Sequence, residues 1–210
     1  MKRSDQGFSL LELLLASALG LVVAGAALNS LFSEADLGRR LGRQVRERQV
    51  MGRAGALIRG DLERGVAVAL NPRDPTVKAA CSLTGRAPVL QITTSDGTVT
   101  TYSVGKPPDA IWRGWVLMRC GRAFQADGSL NGKAAFQNRV VLDGLDPTPA
   151  PWKGCDLPQA TLVSGTELLP LTACVEQSSG TLQWRLAQEF PNPGKTAQWL
   201  EISGSAQLGS

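Results

Sequence analysis

From Phe8 to Leu28 the chain runs for 21 residues with a single charge, Glu12. At ~1.5 Å per residue a helix of that length covers about 31 Å, close to the ~30 Å hydrocarbon thickness of a bilayer. The run therefore reads as a membrane helix or a secretion signal, with anything globular placed after it. Ahead of it stand only Met1 to Gly7, carrying Lys2 and Arg3 against Asp5. The formal charge of the whole chain, +4 from 22 Lys+Arg and 18 Asp+Glu, is too small to name a partner. Histidine is missing from the sequence, which removes Ser-His-Asp and Cys-His catalysis and every His-ligated metal site.

Orientation is not settled by counting cations. Arg39, Arg40, Arg43, Arg46 and Arg48 follow the span, five against two in the leader, and that count alone puts the N-terminus outside. Glu34 and Asp36 separate those arginines from the span, however, and Cys81, Cys120, Cys155 and Cys174 all lie beyond it. Four cysteines without a CxxC spacing and without His read as two disulfides in an oxidising compartment. The C-terminal part is thus expected outside the cytoplasm. Ala24-Gly25-Ala26 fits the small-x-small site of a conventional signal peptide, whose cleavage would release a soluble protein. Glu12 argues against that reading, since a carboxylate within the apolar run costs on the order of 2 to 4 kcal/mol to insert and calls for a partner.

Lys2-Arg3-Ser4-Asp5-Gln6-Gly7 followed by Phe8-Ser9-Leu10-Leu11-Glu12-Leu13-Leu14 resembles the class III signal of type IV prepilins and type II secretion pseudopilins. The resemblance implies a prepilin peptidase that cuts between Gly7 and Phe8 on the cytoplasmic face and methylates the new Phe8 amine. It also implies that Glu12 pairs with a Phe8 ammonium. Four residues of helix separate the two by about 6 Å, so the charges share one bilayer depth. Between staggered subunits the same pair would set filament register. The alternative for Glu12 is a carboxylate that snorkels to the headgroups. Ala16, Gly20 and Ala24 add a small-residue stripe of the kind along which helices approach closely. No proline occurs between Phe8 and Asn71, which leaves Gly20 and Gly25 as the positions where the helix could locally melt.

Residues 33–66 read as an amphipathic continuation of the helix. Leu37, Leu41, Val45, Met51, Ile58 and Leu62 fall in one sector, opposite Arg39, Arg43, Arg46, Arg53 and Arg64, with Val50 and Leu57 interrupting the polar face. Five glycines from Gly38 to Gly60 each weaken it by about 1 kcal/mol relative to Ala, so packing must hold it. The basic face is expected to be solvated or packed in a filament, with nucleic acid kept as a less favoured partner.

Asn71-Pro72-Arg73-Asp74-Pro75 is expected to end the helical region. Strands are expected at 89–94 and 98–104 around Ser95-Asp96-Gly97, at 111–119, at 139–142, at 171–176 and 181–186 around a Ser-Ser-Gly turn, and at 199–202. The fold class is therefore α+β, a long N-terminal helix packed on an antiparallel sheet. In outline, residues 1–7 form the leader, 8–32 the membrane helix, 33–66 its amphipathic half, 67–88 a connecting loop and 89–210 the sheet. This order is similar to pilins, and Trp112 to Arg119 with Val140 to Leu145 resembles the strands of larger minor pilins and J-type pseudopilins. A major pilin is usually smaller and simpler.

The resemblance implies as partners a prepilin peptidase, other major and minor pilins or pseudopilins, and the inner membrane, with the N-terminus cytoplasmic and the globular part periplasmic. Four cysteines allow three pairings. Cys81 with Cys120 and Cys155 with Cys174 is favoured, because Cys174 lies opposite the face of Leu171, Ala173 and Val175 and faces the Pro-rich segment around Cys155. Asp127-Gly128-Ser129-Leu130-Asn131-Gly132 mimics the start of a calcium loop, but its twelfth position is Asn138 where a bidentate Glu belongs. It is read as a Gly-rich turn, so no metal and no cofactor are expected. The five tryptophans read as core rather than sugar platforms. No GxSxG or SxxK frame presents a nucleophile, so no catalytic residue is assigned and the chain is not expected to be an enzyme. Two readings remain: a structural subunit that starts or caps a filament, and a secreted or signal-anchored binding protein.

Overall fold

The structure is a computed structural model that describes residues 9–190 and 198–209. It divides into two compact units, Met1–Glu47 and Arg48–Ser210. One helix, α1 (Leu10–Arg64), is continuous through the boundary, and Gly20 and Gly25 lie within it without a break. The remaining elements are strands β1 (Gly65–Val68), β2 (Arg86–Thr94), β3 (Val99–Gly105), β4 (Trp115–Arg122), β5 (Phe136–Leu145), β6 (Thr161–Leu162), β7 (Leu171–Glu176), β8 (Thr181–Phe190) and β9 (Gln198–Gln207). A long N-terminal helix on an antiparallel sheet is the α+β, pilin-like layout expected from the sequence.

In the first unit the described side chains from Ser9 to Phe32 are all exposed. Leu37, Leu41 and Val45, expected to join the buried stripe, are exposed as well. The stripe is buried only from Met51 onward. Periodicity shows which face of a helix is apolar, not how far along that face a sheet extends.

The second unit carries the core. Met51, Ala54, Ile58 and Leu62, spaced by three and four residues, are almost wholly buried, so one face of the last four turns of α1 lies on the sheet. Burial of each larger side chain contributes roughly 1.5–3 kcal/mol. They meet Leu90, Ile92, Tyr102, Leu117, Leu142 and Leu186 from β2, β3, β4, β5 and β8. The sheet runs β1-β2-β3-β4-β5-β8-β7-β6, with β9 on the other side of β8. β5 joins β8 only at Leu145 opposite Gln188, whereas β8 and β9 pair along their full length. A register shift between Pro88 and Leu90 turns both Val89 and Leu90 inward on β2.

The helix ends earlier than expected. Arg64 is its last residue and Gly65 already belongs to β1, which pairs with β2. A Cβ at Gly65 would collide with the Ile92 side chain, so only glycine lets the chain turn off the helix against the sheet there. β4 likewise begins at Trp115 rather than Ile111, after Gly114 at φ +55°. Beyond β9, the Gly209 N–H donates to the Gly65 carbonyl at 2.7 Å, so the C-terminal segment returns to the base of α1.

Two disulfides hold long connections to the sheet. Cys81–Cys120 fastens the loop after β1 to β4 with Cα atoms 5.9 Å apart, and Cys155–Cys174 fastens the segment before β6 to β7 with Cα atoms 6.3 Å apart. Each is worth about 3 to 4 kcal/mol on the chain-entropy account. Asp156 N–H also donates to Gln183 Oε1 of β8 at 3.1 Å, and Arg185 donates to the Ala150 carbonyl at 2.8 Å. That segment therefore lies across β7 and β8.

Candidate functional site

The head of α1 starts from Ser9, whose side chain and backbone both find partners in the first turn. The Glu12 N–H donates to Ser9 Oγ at 3.2 Å, and the Ser9 N–H donates to Glu12 Oε2 at 3.1 Å. This reciprocal pair is a capping box, Ser at the N-cap and Glu three residues on, and it satisfies two of the backbone donors that a helix start leaves open. It also fixes the Glu12 carboxylate beside the N-terminal end of the helix, where the helix dipole favours negative charge. Gly7 and Phe8, the expected cleavage and methylation positions, lie outside the described residues. Of the expected charge pair only Glu12 lies among the described residues, and the partner it has there is Ser9, which was not expected in the site. The signal for the box, Ser followed three residues later by Glu and then an apolar run, stands in the sequence beside the charge pattern.

Beyond Glu12, α1 is long and apolar enough to cross a membrane, with an 18-residue window of mean hydropathy 2.2 and none of it buried. A core helix of similar composition would be covered by its own chain. This one presents its leucines and valines outward, a patch that in water would associate with lipid or with other helices. Gly20 and Gly25 have open space where a Cβ would stand.

The other charged constellation joins the end of α1 to the sheet. Asp61 accepts Tyr102 Oη at 2.7 Å and Arg119 Nε and Nη2 at 2.6 and 3.1 Å, while Arg64 Nη2 donates to it at 2.9 Å. Asp61 and Arg119 are buried, and Tyr102 is wholly so. Burial pushes the Tyr102 hydroxyl well above its ordinary range, and the Asp61 charge beside it adds to the shift. Burial alone would lower the Arg119 guanidinium, and Asp61 reverses this, leaving it raised. The cluster contains no nucleophile aimed at open space; it pins helix to sheet. Sequence reasoning missed it, although Asp61 falls about 20° from the buried Ala54 on the helical projection, at the edge of the buried stripe, a position where a lone acid signals a buried partner.

The expected calcium-like loop is a hairpin turn. Asp127 Oδ1 accepts the Ser129 N–H and hydroxyl at 2.9 and 2.7 Å, bonds that hold its carboxyl below the usual range, and Phe124 bridges to Leu130. Asn138 belongs to β5 and donates to the Ser82 carbonyl at 2.9 Å. Among the described residues no group of three Cys, Asp or Glu side chains is placed to hold a metal. Of the tryptophans, Trp152 and Trp184 are buried and Trp199 is exposed.

No curated protein and no solved structure matches the chain. Residues 2–28 match the prokaryotic N-terminal methylation motif, so the chain carries, on the segment that ends in the capped, uncovered helix, the N-terminal signature of pilin and pseudopilin-type prepilins.

Proposed function

We propose that this chain is a minor pilin or pseudopilin, a structural subunit that helps initiate or cap a type IV pilus or type II secretion pseudopilus. The observation that carries the reading is Glu12, an acid fixed at the head of an apolar helix that none of the described residues of its own unit covers. In this reading a prepilin peptidase cuts after Gly7, and the new Phe8 ammonium, one residue ahead of the Ser9 cap, neutralises Glu12 of its own or a neighbouring subunit. The helix first holds the chain in the inner membrane, N-terminus cytoplasmic and sheet periplasmic, and then exchanges lipid for neighbouring helices. The two disulfides support an extracytoplasmic sheet. The size of the sheet, nine strands among the described residues, is what favours a minor over a major subunit in this reading.

N-terminal sequencing and intact mass of the protein from its membrane are the experiment. An N-methylated Phe8 is the expected result. A mature chain starting at Ala27 would instead establish a conventional signal and a released, extracytoplasmic binding protein.

A further inference from the structure

A cavity of about 530 Å³ opens in the second unit between the C-terminal turns of α1 and strands β4 and β5. Its floor is apolar, formed by Leu57, Val140 and Val141. Arg53, Arg122 and Arg139 stand around it, and no carboxylate lines it among the described residues. Arg119, also in the wall, is already neutralised by Asp61. The other three cations have no such partner in the wall, and Arg122 Nε is buried without a hydrogen bond. Asp96 is the acid that feels Arg122, and its carboxyl is held low chiefly by hydrogen bonds from Thr94 and Thr98.

We propose that this groove docks an acidic peptide segment of a partner protein, an apolar side chain filling the floor and flanking carboxylates meeting Arg53, Arg122 and Arg139. Charge complementarity carries the choice of an anion, since guanidiniums grouped around a cavity without acids bind carboxylates in paired hydrogen bonds. The floor carries the choice of a peptide. Its aliphatic side chains suit a leucine or phenylalanine and offer nothing to a sugar-phosphate backbone. Base stacking is also disfavoured, because the nearby aromatic rings are occupied: Arg64 and Arg119 lie over Phe124 at 5.0 and 4.6 Å, and Arg122 lies over Phe136 at 5.4 Å. The inference concerns the sheet-bearing unit alone and stands whichever way the N-terminus is processed.

The experiment uses the full chain in nonionic detergent and a fluorescein-labelled peptide of alternating Leu and Glu, read by anisotropy. Saturable binding below about 1 mM is expected, weakened roughly tenfold or more by Arg53→Glu with Arg139→Glu. Both side chains are exposed, so the variant should keep the native unfolding transition, which is checked in parallel. The peptide with Gln in place of Glu and a single-stranded oligonucleotide should bind more weakly than the Glu peptide. Equal binding of the Gln peptide, tighter binding of the oligonucleotide, no saturation, or indifference to the double substitution in a folded variant would each overturn the proposal.

Discussion

Replacing Asp61 by Asn tests the joint between helix and sheet. The carboxylate accepts two bonds from Arg119, one from Tyr102 and one from Arg64, and both it and Arg119 are buried. An amide keeps one acceptor but leaves the Arg119 guanidinium as an uncompensated charge out of water. Removing one member of a buried pair costs about 3–5 kcal/mol, a large share of the ~5–15 kcal/mol that holds a typical domain. The converse change, Arg119→Met, should cost less, about 1–3 kcal/mol. Asp61 then keeps the Tyr102 hydroxyl, and Arg64, partly exposed, still neutralises it. Urea unfolding of the full chain in detergent, followed by tryptophan emission, measures both, and the double variant gives the coupling. A cost below about 1 kcal/mol for Asp61→Asn, or a larger cost for Arg119→Met than for Asp61→Asn, would refute the account of Asp61 as the charge on which the cluster depends.

Tyr102 is the chain's one tyrosine, so tyrosinate absorbance reports on it alone. With its folded value raised above the ordinary value of 10.0, it contributes stability that is present below pH 10 and lost as pH rises through the folded value; no tyrosinate should appear near pH 10 until the protein unfolds. Gly52→Ala, with open space at its Cβ position, should stabilise by up to about 1 kcal/mol, whereas Gly55→Ala, whose Cβ would stand 2.8 Å from Trp184 Cη2 and 3.0 Å from Ile202 Cδ1, should destabilise despite the better helix former. Thermal melts of the pair should move in opposite directions, and a gain from both would contradict the packing described. Gly7→Leu should leave uncleaved precursor on an immunoblot. Glu12→Leu should be cleaved but enter filaments poorly, and wild-type levels of that variant in sheared filaments would show the acid to be dispensable.

The hairpins were legible because their turns are: Ser95-Asp96-Gly97 and the Ser-Ser-Gly before Thr181 leave strand-forming runs on either side, and β2–β3 and β7–β8 follow. β1 was not, because Val66 and Val68 continue an apolar pattern that reads as helix, and only the collision that a side chain at Gly65 would meet reveals the break. The extent of the buried helical face was hidden for a related reason. Leu37 and Leu62 fall within about 20° of one another on the helical projection, yet one is exposed and the other buried. At the helix head the acid stood out by its cost in an apolar run, whereas Asp61 did not, since its partners Tyr102 and Arg119 come from strands distant in sequence.

The Trp184 ring is held between Gly55 of α1 and Gly204 of β9, each so close that a Cβ would stand within 2.8 Å of it. These glycines belong to the first and the last regular elements of the chain. The tight contacts are therefore among the last that synthesis can supply, and the core cannot finish closing around α1 until β9 has emerged. Long-range closure of this kind is slow, whereas the two disulfide loops, spanning 39 and 19 residues, are complete before β9 exists. A nascent chain would thus pass through a stage in which all four cysteines have been made while the face of α1 that carries Gly55 is still uncovered by β9.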